Sequence, residues 1–207
     1  VKITAAVTIF KAAKLPYITY LRHPTTGVRQ DRTVSPIRRK TQVGQILALF
    51  GLRALAAARW LAWLLLAGAL LGETLPWLAS YSWWVVLPIW AVFGLPPGRM
   101  LLAATMARVL LRDLRPGSYP RGGKVHLRVW LAARIQDELH ATSLGGAGWF
   151  PAYARWLGAR IGSGVDLHSV PPVTGLLTVG RGVAIEPEVD LSGTWIDGDR
   201  LHVGSIV

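Results

Sequence analysis

The chain has 207 residues, with 23 Lys or Arg against 11 Asp or Glu, a formal net charge of +12, and no cysteine. The absence of cysteine excludes a disulfide framework, a thiolate metal site and a cysteine nucleophile within these residues. A hydrophobic fraction of 52% and ten tryptophans are high for a domain surrounded by water. The positive charge must therefore be read by its position, against a membrane, an acidic ligand or nucleic acid.

Residues 1–43 are mixed and mildly basic. The first fifteen (VKITAAVTIFKAAKL) lack a cleavable signal pattern. AAVTIFKAAKL could form one helix, His23-Pro24 marks a turn, and Thr33 to Gln42 reads as a linker leading to a membrane. Residues 44–98 read as a two-helix transmembrane hairpin. Its first arm, Ile46 to Gly72, is apolar but carries Arg53 and Arg59, which leaves 13 uncharged residues from Trp60 to Gly72. Those arginines are expected to snorkel toward one interface. The connector Gly72 to Pro76 carries no positive charge, and the second arm, Thr74 to Gly98, runs for 25 residues with no charge at all. That length is enough to cross a bilayer, and its tryptophans and prolines suit a membrane helix. The alternative is a buried hairpin in a soluble protein.

Arg38, Arg39 and Lys40 precede the hairpin, and Arg99, Arg108, Arg112 and Arg115 follow it. Positive flanks predict a multi-pass protein of the cytoplasmic (inner) membrane with both termini cytoplasmic. The basic charge then serves membrane lipids, at about 1 kcal/mol per juxtamembrane cation. The sequence contains no aromatic–basic or other recognised nucleic-acid-binding pattern, so nucleic acid is not an expected partner.

Residues 99–157 read as interfacial and amphipathic helices. Met100 to Leu114 suits a helix lying flat, apolar face on lipid and arginines at the headgroups. RPGSYPRGGK is a turn-rich break. His126 to Leu139 places Leu127, Trp130, Leu131, Ile135 and Leu139 on one helical face, the mark of a core or docking helix more than of a substrate-binding one. Gly145-Gly146 ends the next stretch, and Trp149 to Leu157 forms a last aromatic helix.

From residue 158 onward a six-residue period takes over. Ile161, Leu167, Val173, Val179, Ile185, Leu191 and Val203 recur at that spacing, with Asp197 the one break. A second series precedes each by two: Ala159, Val165, Pro171, Leu177, Val183, Val189, Trp195 and Leu201. Six is neither a helical nor a simple strand period. It is the hexapeptide signature of a β-helix, whose stacked coils bury the periodic aliphatics, a fold that hosts acyltransferases. The pattern stops in mid-repeat at Val207, so a β-helix domain over 158–207 reads as truncated and the chain as a fragment of a longer one.

Three blocks carry a family resemblance. They are RRKTQ with SWWVVLPIWAVFGLPPGRM, the junction LRPGSYPRGGKVHLRVWLA, and the coil ARIGSGVDLHSVPPVTGLLTVGRGVAIEPEVDLSGTWIDGD. Together, over about residues 34–207, they resemble the membrane-embedded C-terminal region of ε-poly-L-lysine-synthetase-type nonribosomal peptide synthetases. ITYLRHPTTGVRQ also looks like the tail of a carrier domain. The resemblance implies a membrane α-helical hairpin, short amphipathic helices, and the start of a left-handed parallel β-helix. It implies a segment that forms amide bonds between amino-acid monomers delivered as phosphopantetheine-linked thioesters on a carrier domain. The partners implied are the carrier and adenylation domains of the same synthetase and the growing poly-amino-acid, with a homo-oligomer possible. ATP and magnesium would be used elsewhere in the synthetase, and no cofactor bound by this segment is expected. The sequence lacks a carrier-type serine motif and a His-His-x-x-x-Asp-Gly condensation motif. Two alternatives remain: a CoA-dependent hexapeptide-repeat acyltransferase, and a non-catalytic membrane scaffold.

Amide formation needs a neutral amine aimed at the carbonyl, with a base to take its proton. Hexapeptide-repeat acyltransferases commonly use a coil-edge histidine, so His168 and His202 are the candidate catalytic residues, with a solvated surface role as the plain alternative. Glu186, Glu188, Asp190, Asp197 and Asp199 crowd into fourteen residues of a basic chain. They are candidates to hold a lysine-like ammonium, or else to satisfy corner amides and neighbouring arginines. Asp197 stands at a core position and would need a partner if buried. Neither Glu186-Pro187-Glu188 nor Asp197-Gly198-Asp199 resembles a complete metal site, and no metal is expected.

Overall fold

The structure, a computed structural model, describes residues 36–37, 39–72, 74–75, 79, 81–143 and 148–207. The expectations for residues 1–35, for Glu73 and Pro76 in the connector, and for Gly145-Gly146 lie outside the described residues.

Helix α1 spans Arg39–Leu71, about 50 Å at 1.5 Å per residue. Residues 39–43 are therefore its first turn and not part of a linker. Arg, Lys and Gln are good helix formers, and the turn is anchored: Thr41 Oγ1 donates to the Gly122 carbonyl at 2.6 Å. Helix α2, Trp83–Phe93, packs back along α1, where Trp63 and Trp90 meet edge to face at 5.6 Å.

The charge-free run 74–98, expected as one crossing helix, is not continuous. α2 has 11 residues, about 16 Å, and the chain then bends by 68° into α3, Pro96–Leu111. Proline bars the residue before it from helical geometry, and Leu95 accordingly sits at ψ 137°. Pro96 and Pro97 then suit the first turn of α3. The elbow is tight, since a Cβ on Gly98 would lie 1.9 Å from the Ala91 carbonyl. Among the described residues, α1 alone is long and apolar enough to cross a membrane unaided; α2 and α3 qualify only if the bent pair is one span.

α3 was expected to lay its apolar face on lipid. Its small face, Met100, Ala103, Ala104, Ala107 and Leu111, is instead buried in protein, where α3 packs on α4, Lys124–Glu138, and α5, Phe150–Leu157. Leu101 and Val109 point outward. α5 ends at Gly158, whose φ of 107° is the left-handed cap that glycine favours. One core runs from this three-helix layer (Ile135, Leu139, Tyr153, Leu157) into the coil (Leu167, Leu177, Val179, Leu191).

In the coil, β2 (Arg160–Ile161) pairs in parallel with β4 (Thr178–Val179), and β3 (Asp166–Leu167) with β5 (Ala184–Ile185). Paired residues stand 18 positions apart, which is three six-residue units. Rungs form as Arg160 N–H donates to the Leu177 carbonyl at 2.8 Å, and Gly162, Asp166 and His168 donate likewise to Val179, Val183 and Ile185 at 2.9 Å.

The repeat fails after Leu191. Thr194–Asp197 (β6) and Arg200–Val203 (β7) form an antiparallel hairpin. Gly198 opens its two-residue turn at φ 55°, a conformation glycine takes at little cost. Gly117–Pro120 (β1), read in sequence as a mere break, pairs antiparallel with β7. The chain then returns, and Ile206 bridges in parallel to Leu177, 29 residues back, eleven more than the coil repeat. Asp197 is accordingly an exposed strand residue beside a turn, not a buried break in a coil. Trp195, counted as inward, is 56% exposed, and Val183 and Val189 are also exposed.

Candidate functional site

A cleft of about 390 Å³ lies between α4 and the coil. Val170, Pro171, Pro172, Val173 and Thr174 of the first coil form one wall. Residues 187–192, eighteen positions on, form another, and Val129, Ala133 and Gln136 of α4 close it. Proline fixes φ and lacks an N–H, so a Pro-Pro corner holds its shape without hydrogen bonds of its own. Ser169, 1% exposed, donates its hydroxyl to the Glu186 carbonyl and ties the two coils together at this corner. Gly175, at φ 66°, lies so close to α5 that a Cβ would stand 2.3 Å from the Leu157 carbonyl.

The polar side chains of the cleft are few. Glu188 and Asp190 are exposed at its rim. One oxygen of Asp190 accepts the Ser192 N–H at 2.8 Å. Gln136 is 8% exposed, and its Oε1 accepts the Tyr153 hydroxyl at 2.8 Å. Burial, then the charge of Asp137, holds the Tyr153 hydroxyl proton more tightly than usual. Among the described lining residues there is no Lys, Arg or His, although the chain carries a net +12.

Of the seven side chains singled out from sequence, Glu188 and Asp190 share this cleft. His168 and Glu186 lie on the neighbouring edge, eighteen positions apart on adjacent coils. His168 Nε2 contacts Asp166 Oδ1 at 3.0 Å, an ion pair when the ring is protonated. His202 is on β7, opposite Ser118 and Trp195, with its ring stacked on that indole at 5.1 Å and 10°. Asp197 and Asp199 flank the hairpin turn, and the Asp199 carbonyl accepts the Arg121 N–H at 2.8 Å. The two histidines therefore do not converge on one site.

Sequence reasoning missed Gln136, Tyr153 and Asp166. Gln136 left a signal: with Val129 and Ala133 it completes an i, i+4, i+7 stripe on a face otherwise apolar. Among the described residues, no three His, Asp or Glu side chains gather in a way that could hold a metal ion.

Over 107 residues, 51% of the chain, the sequence is 35% identical to the delta-poly-L-ornithine synthetase of Acinetobacter baumannii. The matched stretch is 8% of that protein's length. No protein-family model matches the chain, and no solved structure matches it significantly. The similarity relates this chain to the poly-amino-acid synthetases, without singling out the ε-poly-lysine type.

Proposed function

We propose that the chain is a membrane-associated segment of a poly-amino-acid synthetase that joins cationic amino-acid monomers by amide bonds, in the manner of an ε-linked lysine polymer. The observation that carries this reading is the 35% identity to a poly-ornithine synthetase over half the chain. The 18-residue parallel register supports reading residues 158–191 as the first turns of a left-handed parallel β-helix of the hexapeptide type. α1, with its long exposed apolar face, supports anchoring at the membrane.

In this reading the monomer arrives as a thioester on the phosphopantetheine arm of a carrier domain. The acceptor amine attacks the thioester carbonyl carbon. A C–N bond forms, the C–S bond breaks, and the amine proton leaves with the thiol. A cationic monomer brings a second ammonium that must be steered. Glu188 and Asp190, at the rim of an otherwise apolar cleft with no lining cation, suit that task. Charges at a partly enclosed site interact more strongly than in bulk water. His168, oriented by Asp166, lies on the adjacent edge, and His202 lies outside the cleft altogether.

The test is the double change Glu188→Gln with Asp190→Asn in the full-length synthetase. Polymer formation should fall sharply while amino-acid-dependent ATP–pyrophosphate exchange persists. Undiminished polymer formation would remove the cleft from the reaction. Turnover of acetyl-CoA without aminoacyl-thioester turnover would favour instead the CoA-dependent acyltransferase that the hexapeptide period also suggests.

A further inference from the structure

Gln136 is the buried polar group of the cleft. Its Oε1 is taken by the Tyr153 hydroxyl, whose proton burial holds firmly in place, so the amide is pinned with its oxygen turned to Tyr153. Nε2 then has no hydrogen-bond partner among the described residues, yet the side chain lines the cleft and is 8% exposed. A buried amide donor is costly to leave unpaired. An amide held in this orientation is a donor prepared for a ligand acceptor.

Three features of the same cleft combine. A fixed N–H donor sits on the α4 wall, Pro171, Pro172, Val173 and Pro187 give an apolar lining, and two carboxylates stand at the rim. An acyclic ligand that matches all three has a carbonyl oxygen, a methylene chain and an ammonium, in that order. We infer that the cleft binds an N-acylated cationic amino-acid unit. Gln136 Nε2 donates to the amide or ester carbonyl, and Glu188 and Asp190 receive the side-chain ammonium. A neutral amino acid would leave the rim charges unmatched, and a free diamine would leave Gln136 unpaired. The cleft thereby selects a unit already acylated, as in a growing chain, over a bare amine. The inference deepens the proposed function and rests on it for the origin of the ligand, while the binding itself follows from the cleft.

The test is titration calorimetry on the chain in lipid nanodiscs with three probes. Nα-acetyl-lysine methylamide carries carbonyls and an ammonium, hexylamine the ammonium alone, and Nα,Nε-diacetyl-lysine methylamide the carbonyls alone. The first should bind tightest. Gln136→Met should weaken it about tenfold, the worth of one hydrogen bond, and leave hexylamine unchanged. Glu188→Gln with Asp190→Asn should weaken both ammonium probes and spare the diacetyl one. Gln136→Glu, which keeps an acceptor for Tyr153 but loses the donor, should abolish the preference for the acetyl-lysine probe over hexylamine even if the methionine variant folds poorly. Equal affinity of the wild-type chain for these two probes would overturn the inference, as would a Gln136→Glu variant that retains the preference. Loss of the preference with unchanged polymer formation would leave the binding site standing and remove it from the polymer-forming reaction.

Discussion

Arg53 on α1 and Glu138 at the end of α4 form an ion pair at 3.5 Å. It closes a seam that begins with Thr41 on the Gly122 carbonyl and fixes the lower half of α1 alongside α4. Near the same end, Arg99 is buried and donates to the Leu139 carbonyl at 3.3 Å and to Ser143 Oγ at 3.4 Å. It caps α4 with a cation where the helix dipole is negative. The two arginines should contribute unequally. Arg53 is 74% exposed, so Arg53→Ala should cost less than about 1 kcal/mol. Arg99→Ala strands the Leu139 carbonyl and opens a cavity, and should cost roughly 2–4 kcal/mol. Thermal unfolding in detergent measures both, and an equal drop in Tm would refute the assignment.

The coil depends on glycine where its turns touch. A Cβ on Gly162 would lie 2.6 Å from the carbonyl of Gly180, eighteen positions on. Gly164 has φ 65° but no close neighbour, its Cβ clearing Gly182 at 4.0 Å. Gly162→Val should therefore push the coils apart and lose cooperative unfolding. Gly164→Ala should cost only the backbone strain of a left-handed residue, about 1 kcal/mol. Urea unfolding followed by circular dichroism separates the two, and a Gly162→Val variant as stable as Gly164→Ala would contradict the stacking.

The parts of this molecule with local causes were legible in its sequence. α4 and α5 were readable because their apolar spacing and glycine cap are written within a dozen residues. The inward series Leu167, Val179 and Leu191 was readable from the six-residue beat. The hairpin was not. Thr194 to Val203 continues that beat at Trp195, Leu201 and Val203, and what redirects it is the pairing of β7 with Gly117–Pro120, some eighty residues upstream. The bend after α2 was written in Leu95-Pro96-Pro97, but the lack of charge over 74–98 concealed it. In the cleft, charge marked Glu188 and Asp190, whereas Gln136 gains its meaning only from Tyr153, seventeen residues away.

His126 gives the fold a pH dependence. Burial first, then the positive charge of Arg121, lowers its pKa below the ordinary histidine value. Its Nδ1 accepts the Gly122 N–H at 2.9 Å, a bond that needs the neutral ring. The unfolded chain takes up a proton near pH 6.5, before the folded one does. Stability is thus full above that pH and falls as pH drops from there through the folded pKa. His126→Asn offers the same N–H a non-titrating acceptor. Its Tm should decline less between pH 7.5 and 5 than that of the wild-type chain, and parallel declines would contradict the assignment.

His202 should prove dispensable for chemistry. Its ring stacks on Trp195 and it does not line the cleft. His202→Asn should leave polymer formation unchanged in the full-length synthetase, with a small loss of hairpin stability from the broken stack. A collapse of polymer formation with an intact fold would return this residue to the reaction.

The upper half of α1 and all of α2 present large apolar side chains to their surroundings. Trp84 is 90% exposed, Trp60 66% and Leu64 65%, and Glu73 is the single charged residue between Trp60 and Gly98. Each such side chain kept in water forgoes about 1.5–3 kcal/mol of transfer free energy, so this surface is matched to hydrocarbon. The chain should stay with the membrane fraction through an alkaline carbonate wash. The triple change Trp60→Asp, Leu64→Asp and Trp84→Asp should release it, since each carboxylate placed deep in hydrocarbon costs about 2.5–3.5 kcal/mol. Because these three side chains are exposed and the seam of Thr41, Arg53 and Glu138 is untouched, the released variant should keep its helical circular dichroism and the acetyl-lysine binding of the cleft. A wild-type chain that washes off would show that this apolar surface is covered by protein and not by lipid.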